Sequence, residues 1–333
     1  VIVCTAATIP VAHAKAPALR ETLKAVEYAL VFLVAWSAAR DDRPGAARWF
    51  GRSCGLALAA VALDALADYA RPESVLRAGG HTIVRIAGAL EGPNQFAAWI
   101  GLALPVAVAE IEAVVALGAL VALAGAALAL TLSRGGAAQS AAALAGALLA
   151  RGERRPRALA LAAAFALAFA VALGALVAAS GGAGALFRSS DDAGGTGSRA
   201  ILWSAALAMG RAHPLLGVGA GNFELELPRY GAPPRVRTQA NSLYLEALAD
   251  GGIVLLGATL FAALAPPLVL VRARGRPLVL AAGVAGFALA AHGLVDDVTF
   301  FTKVGQLWWL IAGVAAACAA PSRSSPSTTP GTR

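Results

Sequence analysis

Ala113-Val-Val-Ala-Leu-Gly-Ala-Leu-Val-Ala-Leu-Ala-Gly-Ala-Ala-Leu-Ala-Leu-Thr-Leu-Ser-Arg-Gly-Gly136 decides the fold class. Its first part, 113–132, carries no charge. It has the roughly 20 apolar residues that a helix needs to cross a hydrocarbon core. Runs of the same kind recur at 23–39, 53–69, 94–110, 137–150, 158–180, 252–271, 278–295 and 305–320. Hydrophobic residues make up 59% of the chain and charged ones 14%, and the mean hydropathy is +0.70. Soluble domains carry about 25% charge, so the composition excludes that class. The expectation is an all-α, polytopic integral membrane protein with about nine transmembrane helices and one large extracytoplasmic loop.

The arginines test that reading. They cluster at 40–52 (Arg40, Arg43, Arg48, Arg52), at 151–157 (Arg151, Arg154, Arg155, Arg157) and at 272–276 (Arg272, Arg274, Arg276). Threading the spans puts all three clusters on one side, as the positive-inside rule requires. Arg134, the long polar stretch 181–251 and the connection 296–304 fall on the other. The net charge of +8 is therefore a topology signal, and no nucleic-acid partner is expected. The large loop is therefore expected to be extracytoplasmic. Cys4, Cys54 and Cys318 are too far apart for a metal site or a disulfide framework. The chain begins at Val1 without a signal-peptide pattern and reads as a fragment lacking upstream spans. Four parts result: N-terminal helices over 1–180, the loop 181–251, C-terminal helices over 252–320 and a tail, 321–333, disordered by composition.

Chemistry gathers in the loop, which holds Arg188, Asp191, Asp192, Arg199, Arg211, His213, Glu224, Glu226, Arg229, Arg235, Arg237, Asn241 and Glu246. Residues 181–198 are rich in Gly and Ser, which predicts a mobile segment. Ser198 is placed to cap a helix over Arg199–Arg211, with an apolar face of Ile201, Leu202, Ala205 and Leu207–Ala208. His213-Pro214 ends it. Gly217-Val-Gly-Ala-Gly221 follows no strand of a βαβ unit, so a dinucleotide fingerprint is rejected in favour of a tight backbone turn. Outside the loop, Arg134 ends an apolar run, where an arginine either snorkels or pairs with an anion. A guanidinium suits a phosphate by bidentate hydrogen bonding, and Arg199 would supply a second cation for a diphosphate. Asn94 and Gln95 follow Pro93 at a helix start, where they cap the helix or line a cavity. Asp64, Asp68, His292, Asp296 and Asp297 lie in or beside spans. Asp64 reads as immersed, and Asp68, Asp296 and Asp297 as cheaply solvated at helix ends.

These motifs together resemble one family. Residues 199–223 (RAILWSAALAMGRAHPLLGVGAGNF) resemble the pattern R-x-x-x-W…P-L-L-G-V-G-x-G-N-F of the O-antigen ligase and polymerase superfamily. Arg85-Ile-Ala-Gly88…Glu91-Gly-Pro-Asn94 is similar to its R-x-x-G…P-N segment, and Ser133-Arg134-Gly135 to its S-R-G. Asn241-Ser-Leu-Tyr-Leu-Glu-Ala-Leu-Ala-Asp-Gly-Gly252 resembles the H-[NSQ]-x9-G-x-x-G signature after the large loop.

The resemblance implies inverting, metal-independent glycosyl transfer without a cofactor at the outer face of the inner membrane. The donor would be an undecaprenyl-diphosphate-linked glycan. The acceptor would be lipid A–core, a growing polysaccharide or a protein hydroxyl. Arg134 and Arg199 would grip the diphosphate, with Arg85, Asn94, Arg211, His213, Ser242 and Tyr244 as further substrate-binding positions. Two departures stand out: the signature histidine falls on Asn241, and the last glycine on Leu255. An amide cannot take an acceptor's proton at neutral pH. Another base then serves, with His213, Glu224, Glu226, Glu246 and Asp250 as the candidates, the acceptor differs, or the chain binds lipid-linked glycan without turnover. A bicarbonate-type solute transporter is the rival from another class. It would gather its polar residues at the bilayer midplane rather than at one face.

Overall fold

The computed structural model describes residues 1–69, 75–78, 81–152, 154–180, 182–183, 196–233, 238–273 and 276–319. The Gly/Ser stretch with Arg188, Asp191 and Asp192, the residues Arg235, Arg237 and Arg274, and the tail 321–333 lie outside them. A short helix α1 (Ile2–Thr8) precedes α2 (Lys15–Ala39) and α3 (Arg43–Leu66). An antiparallel ribbon, β1 (Val75–Ala78) and β2 (His81–Val84), is the one sheet among the described residues. Then follow α4 (Pro93–Glu110), α5 (Val114–Thr131), α6 (Arg134–Ala150) and α7 (Arg155–Ala179). The loop region contributes α8 (Thr196–Ala212) and the single turn α9 (Phe223–Glu226). The chain closes with α10 (Leu243–Arg272), α11 (Pro277–His292) and α12 (Thr302–Ala319).

A helix therefore covers each apolar run. Five of them (α2, α3, α5, α7 and α10) are long and apolar enough to cross a membrane by length and composition. The others are shorter or begin in polar residues, as α4 does with Pro93-Asn94-Gln95. Boundaries follow local chemistry. Asp42 caps α3 by accepting from Gly45 N at 3.0 Å, with Pro44 in the first turn. Ser133 caps α6 by accepting from Gly136 N at 3.2 Å. The break expected near 252 is a kink inside α10, where Gly251 and Gly252 leave helical geometry.

The central element is α4, buried along almost its whole length and flanked by α3, α5, α6, α11 and α12. Small residues let these backbones approach. A β-carbon at Gly125 would lie 2.5 Å from the Phe165 carbonyl oxygen, and one at Gly313 the same distance from the Phe32 carbonyl oxygen. The helix directions sort the charges. At one end Arg151 donates to the Val108 and Ile111 carbonyls at 2.6 and 2.5 Å. Glu110 lies there in electrostatic range of Arg48, Arg151 and Arg276. The opposite end collects the starts of α4, α6, α10 and α12, and the loop packs beside it.

Within the loop, α8 buries Leu202, Ala205, Ala206 and Met209 against Phe223 and Leu227. The spacing of these four is the i, i+3, i+4, i+7 pattern of a helical face. It keeps Leu202 and Ala205 of the expected face and corrects the rest, since Ile201 and Leu207 are exposed.

Candidate functional site

The loop-side end of the bundle joins side chains from distant parts of the chain. Arg85, following β2, donates through Nε to the Thr131 carbonyl at 2.7 Å and through Nη2 to Asn94 Oδ1 at 3.0 Å. Asn94, in the first turn of α4, donates through its amide nitrogen to Asp296 Oδ2 at 2.5 Å. Arg199, near the start of α8, lies in electrostatic range of Arg85, Asp296 and His292.

Asp296 and Asp297 correct the expectation of cheap solvation: they are 4% and 6% exposed. The connection after α11 folds back beneath its neighbours, so a position at a helix end is not a position in water. Burial raises the Asp296 carboxyl above the usual range, while Arg199, the Asn94 hydrogen bond and Arg85 pull the other way. Burial raises Asp297 as well, against Lys24 and the Thr299 hydrogen bonds. The Arg85 guanidinium is lowered by burial, with Asp296 opposing and Arg199 reinforcing. Asp64, read as immersed, is exposed near the end of α3. Asp68 instead holds the connection after β2, accepting from Ala87 N and Gly88 N at 2.8 Å each.

Two donors in this region find no acceptor among the described residues. Arg199 Nε and Trp203 Nε1 are buried without a hydrogen-bond partner. They stand four residues apart, so one face of α8 presents both. Buried donors left unpaired are uncommon and call for an explanation.

Arg134 is the first residue of α6, and its side chain is exposed. Its neighbour Gly135 packs on His292, where an added β-carbon would lie 2.5 Å from the imidazole. The imidazole is held by Gln139, with His292 Nδ1 2.7 Å from Gln139 Oε1. Gln139 in turn donates to the Ala98 carbonyl at 3.1 Å.

The start of α10 docks on the end of α11. Leu243 N donates to the Gly293 carbonyl at 2.9 Å and the Tyr244 hydroxyl to the Ala290 carbonyl at 2.7 Å, while Ser242 caps α10. Asn241 lies just outside, half-buried, with φ at +51°. Its side chain makes no hydrogen bond among the described residues. Asparagine and histidine are both enriched in this left-handed region, so the backbone tolerates either.

The glycine turn serves packing, as expected. Gly217 has φ at +59°, and a β-carbon there would lie 2.3 Å from the Ala249 carbonyl oxygen. Val218 N and Gly219 N donate to the Ala249 and Asp250 carbonyls at 2.9 and 2.8 Å. The Asp250 carboxylate accepts from Gly221 N at 2.6 Å and Phe223 N at 2.9 Å. Asn222 ties the turn to the N-terminal segment, accepting from Ala14 N at 2.8 Å and donating to Ala14 O at 3.1 Å.

Arg211 and His213 are not brought to the Arg85–Asp296 group. Arg211 lies twelve residues beyond Arg199, roughly 18 Å along the helix. His213 is exposed, with Nε2 3.1 Å from the Tyr230 hydroxyl. Sequence reasoning assigned no role to Trp203 and named Asp250 only as one of several candidate bases. The spacing of Trp203 from Arg199 was the available signal for the first. Among the described residues no group of three His, Cys, Asp or Glu is placed to hold a metal ion.

The architecture is that of an α-helical membrane protein whose cations and buried carboxylates meet at one end of the bundle, beneath a folded loop. Residues 119–262 match the family model for O-antigen ligase. Comparison with curated proteins finds no match for the chain.

Proposed function

We propose that this protein is an inverting, metal-independent glycosyltransferase of the outer face of the inner membrane, passing a glycan from undecaprenyl diphosphate to an acceptor hydroxyl. The acceptor is lipid A–core, a growing polysaccharide or a protein. On this reading about nine helices cross the bilayer, the arginine clusters face the cytoplasm and the loop lies outside. The observation that carries the proposal is the unpaired donor couple Arg199 Nε and Trp203 Nε1 beside Arg85. A diphosphate oxygen supplies the acceptor that the described residues do not.

In the reaction the acceptor oxygen bonds to the anomeric carbon as the bond to the diphosphate oxygen breaks. The diphosphate leaves with the electron pair. Fixed guanidiniums of Arg199 and Arg85, with Arg134 at the rim, stabilise the charge as it develops, which accelerates transfer beyond simple binding. Asn241 has no basicity to offer the acceptor. We assign the proton to Asp296, whose burial raises its carboxyl toward the range useful for a general base. Asn94 couples that carboxylate to Arg85.

The test is transfer in proteoliposomes from an undecaprenyl-diphosphate glycan, with donor binding measured separately. Arg199→Ala and Arg199→Lys should both weaken donor binding and transfer, because lysine carries charge but lacks the Nε–H. A charge-assisted bond is worth about 1.5–3 kcal/mol, roughly tenfold to a hundredfold in affinity. Binding and transfer at wild-type levels in both variants would remove the proposal. Donor binding in the wild type without transfer to any acceptor would mark a binding protein instead.

A further inference from the structure

A groove of about 630 Å³ lies between α2, α3, α4 and α12. None of Arg85, Asn94, Asp296 and Arg199 lines it. Its two ends differ in chemistry. The deeper end is apolar, walled by Val31, Val61, Leu307 and Leu310. Leu310 is exposed, so this part opens sideways from the bundle. Lys303 and Gln306 stand at the loop-side end, one helical turn apart on α12. Lys303 and Leu310 are separated by roughly 10 Å along the helix axis. That depth fits within the 15 Å or so of hydrocarbon that one leaflet supplies. Trp99 lines the groove from α4, and its indole N–H finds no acceptor among the described residues.

The polar end carries more negative charge than positive. Lys303 Nζ donates to the Ala89 carbonyl at 2.6 Å and lies 3.2 Å from Glu91 Oε1. Gln306 donates its amide N–H to Glu27, one turn before Val31 on α2. Glu27 and Glu91 both lie in electrostatic range of the Tyr28 hydroxyl, so the two carboxylates belong to one region. Lys24, the next cation along α2, is matched by its own partner Glu21 at 2.5 Å. Lys303 therefore faces two carboxylates alone. An ammonium group has three N–H donors, and Lys303 uses two, which leaves one for an anionic oxygen. A head group that suits this end brings a phosphate to Lys303 and a cation with N–H donors to the carboxylates. A net anionic head would add to the excess of negative charge, and a quaternary ammonium has no N–H to donate.

We infer that this groove binds a glycerophospholipid of the surrounding bilayer that carries a primary-ammonium head. Its phosphate takes the remaining donor of Lys303, and its ammonium pairs with Glu91 and Glu27. An ester carbonyl accepts from the Trp99 indole, and one acyl chain lies along Val31, Val61 and Leu310. The inference stands on the groove alone and is independent of the transfer proposed above.

The experiment uses the full chain in nanodiscs of choline-headed lipid. Each preparation is doped with one phospholipid that has a diazirine in its acyl chain and an ethanolamine, choline or glycerol head. After photolysis, labelling is mapped by mass spectrometry to the peptides containing Val31, Val61 and Leu310. The ethanolamine lipid should label them at least about tenfold more than either of the others, the factor that one charge-assisted bond supplies. Glu27→Gln combined with Glu91→Gln should bring the ethanolamine lipid down to the level of the choline lipid. Lys303→Glu should abolish labelling by the ethanolamine lipid, and Lys303→Gln should lower it several-fold if the glutamate variant does not fold. Equal labelling by the three heads marks ordinary boundary lipid and overturns the inference. Stronger labelling by the glycerol lipid, no labelling by any of them, or an undiminished ethanolamine preference in the double glutamine variant overturns it as well.

Discussion

Asp250→Asn probes the joint between the glycine turn and the kinked helix. The carboxylate is 6% exposed and accepts from two backbone amides, at 2.6 and 2.9 Å. Asparagine matches its shape but keeps one acceptor oxygen, so its amide nitrogen must face one of the two N–H groups. The loss is one charge-assisted bond, about 1.5–3 kcal/mol, joined to an unsatisfied buried donor of comparable cost. A conservative figure of about 3 kcal/mol corresponds to an increase on the order of a hundredfold in local opening. Hydrogen exchange by mass spectrometry on peptides covering 217–223, in nanodiscs, reads this directly. Asp41→Asn is the control, since that carboxylate is 88% exposed. Exchange in the turn within about threefold of wild type would refute the claim that Asp250 holds it.

Three further outcomes follow from the same geometry. Asn241→His should fold like the wild type, whereas Asn241→Ile should lose about 1–2 kcal/mol, because a β-branched residue is strained at a φ of +51°; thermal unfolding decides, and equal midpoints for the two variants would sink the argument. Burial raises Asp296, so the folded state holds its proton more tightly than the unfolded chain does. The resulting stability is complete below the ordinary carboxylate pKa of about 3.9 and is lost as pH rises through the raised value. Melting temperature should therefore fall less steeply across that window in Asp296→Asn, and identical slopes would contradict it. Gly135→Ala should destabilise by about 1–3 kcal/mol through contact with the His292 ring, and His292→Ala should suppress that loss in the double variant. Additive effects would show that the two do not collide.

Much of the architecture was legible because hydrocarbon-length runs and arginine clusters are one-dimensional signals. The apolar runs marked every helix of the bundle, and the clusters at Arg40–Arg52 and Arg151–Arg157 lie at one end of it. What composition could not show is how small residues bring particular helices together. Nothing in the run containing Gly125 announces that the Phe165 carbonyl lies against it. The apolar face of α8 was read only in part, for a related reason. In an alanine-rich helix several faces look similar, and only the partners Phe223 and Leu227 select Leu202 and Met209 for burial.

The site divides along the same line. Arg85, Asn94, Arg134 and Arg199 stood out as polar residues interrupting apolar sequence, and the helix directions bring them to one end. Asp296 was noticed but placed in water, because its burial depends on the connection after α11 folding back toward Asn94, some 200 residues earlier in the chain. Asp250 looked like one loop carboxylate among many. Its role emerges once Gly217, Gly219 and Gly221 permit the turn to approach the α10 kink, where Gly252 would meet the Leu215 backbone at 2.4 Å if it carried a β-carbon. The glycines and the aspartate are thus one device. The turn fixes the exit from α8, and α8 carries Arg199 and Trp203. A perturbation at Asp250 should therefore reach donor binding through the helix, without touching the donor.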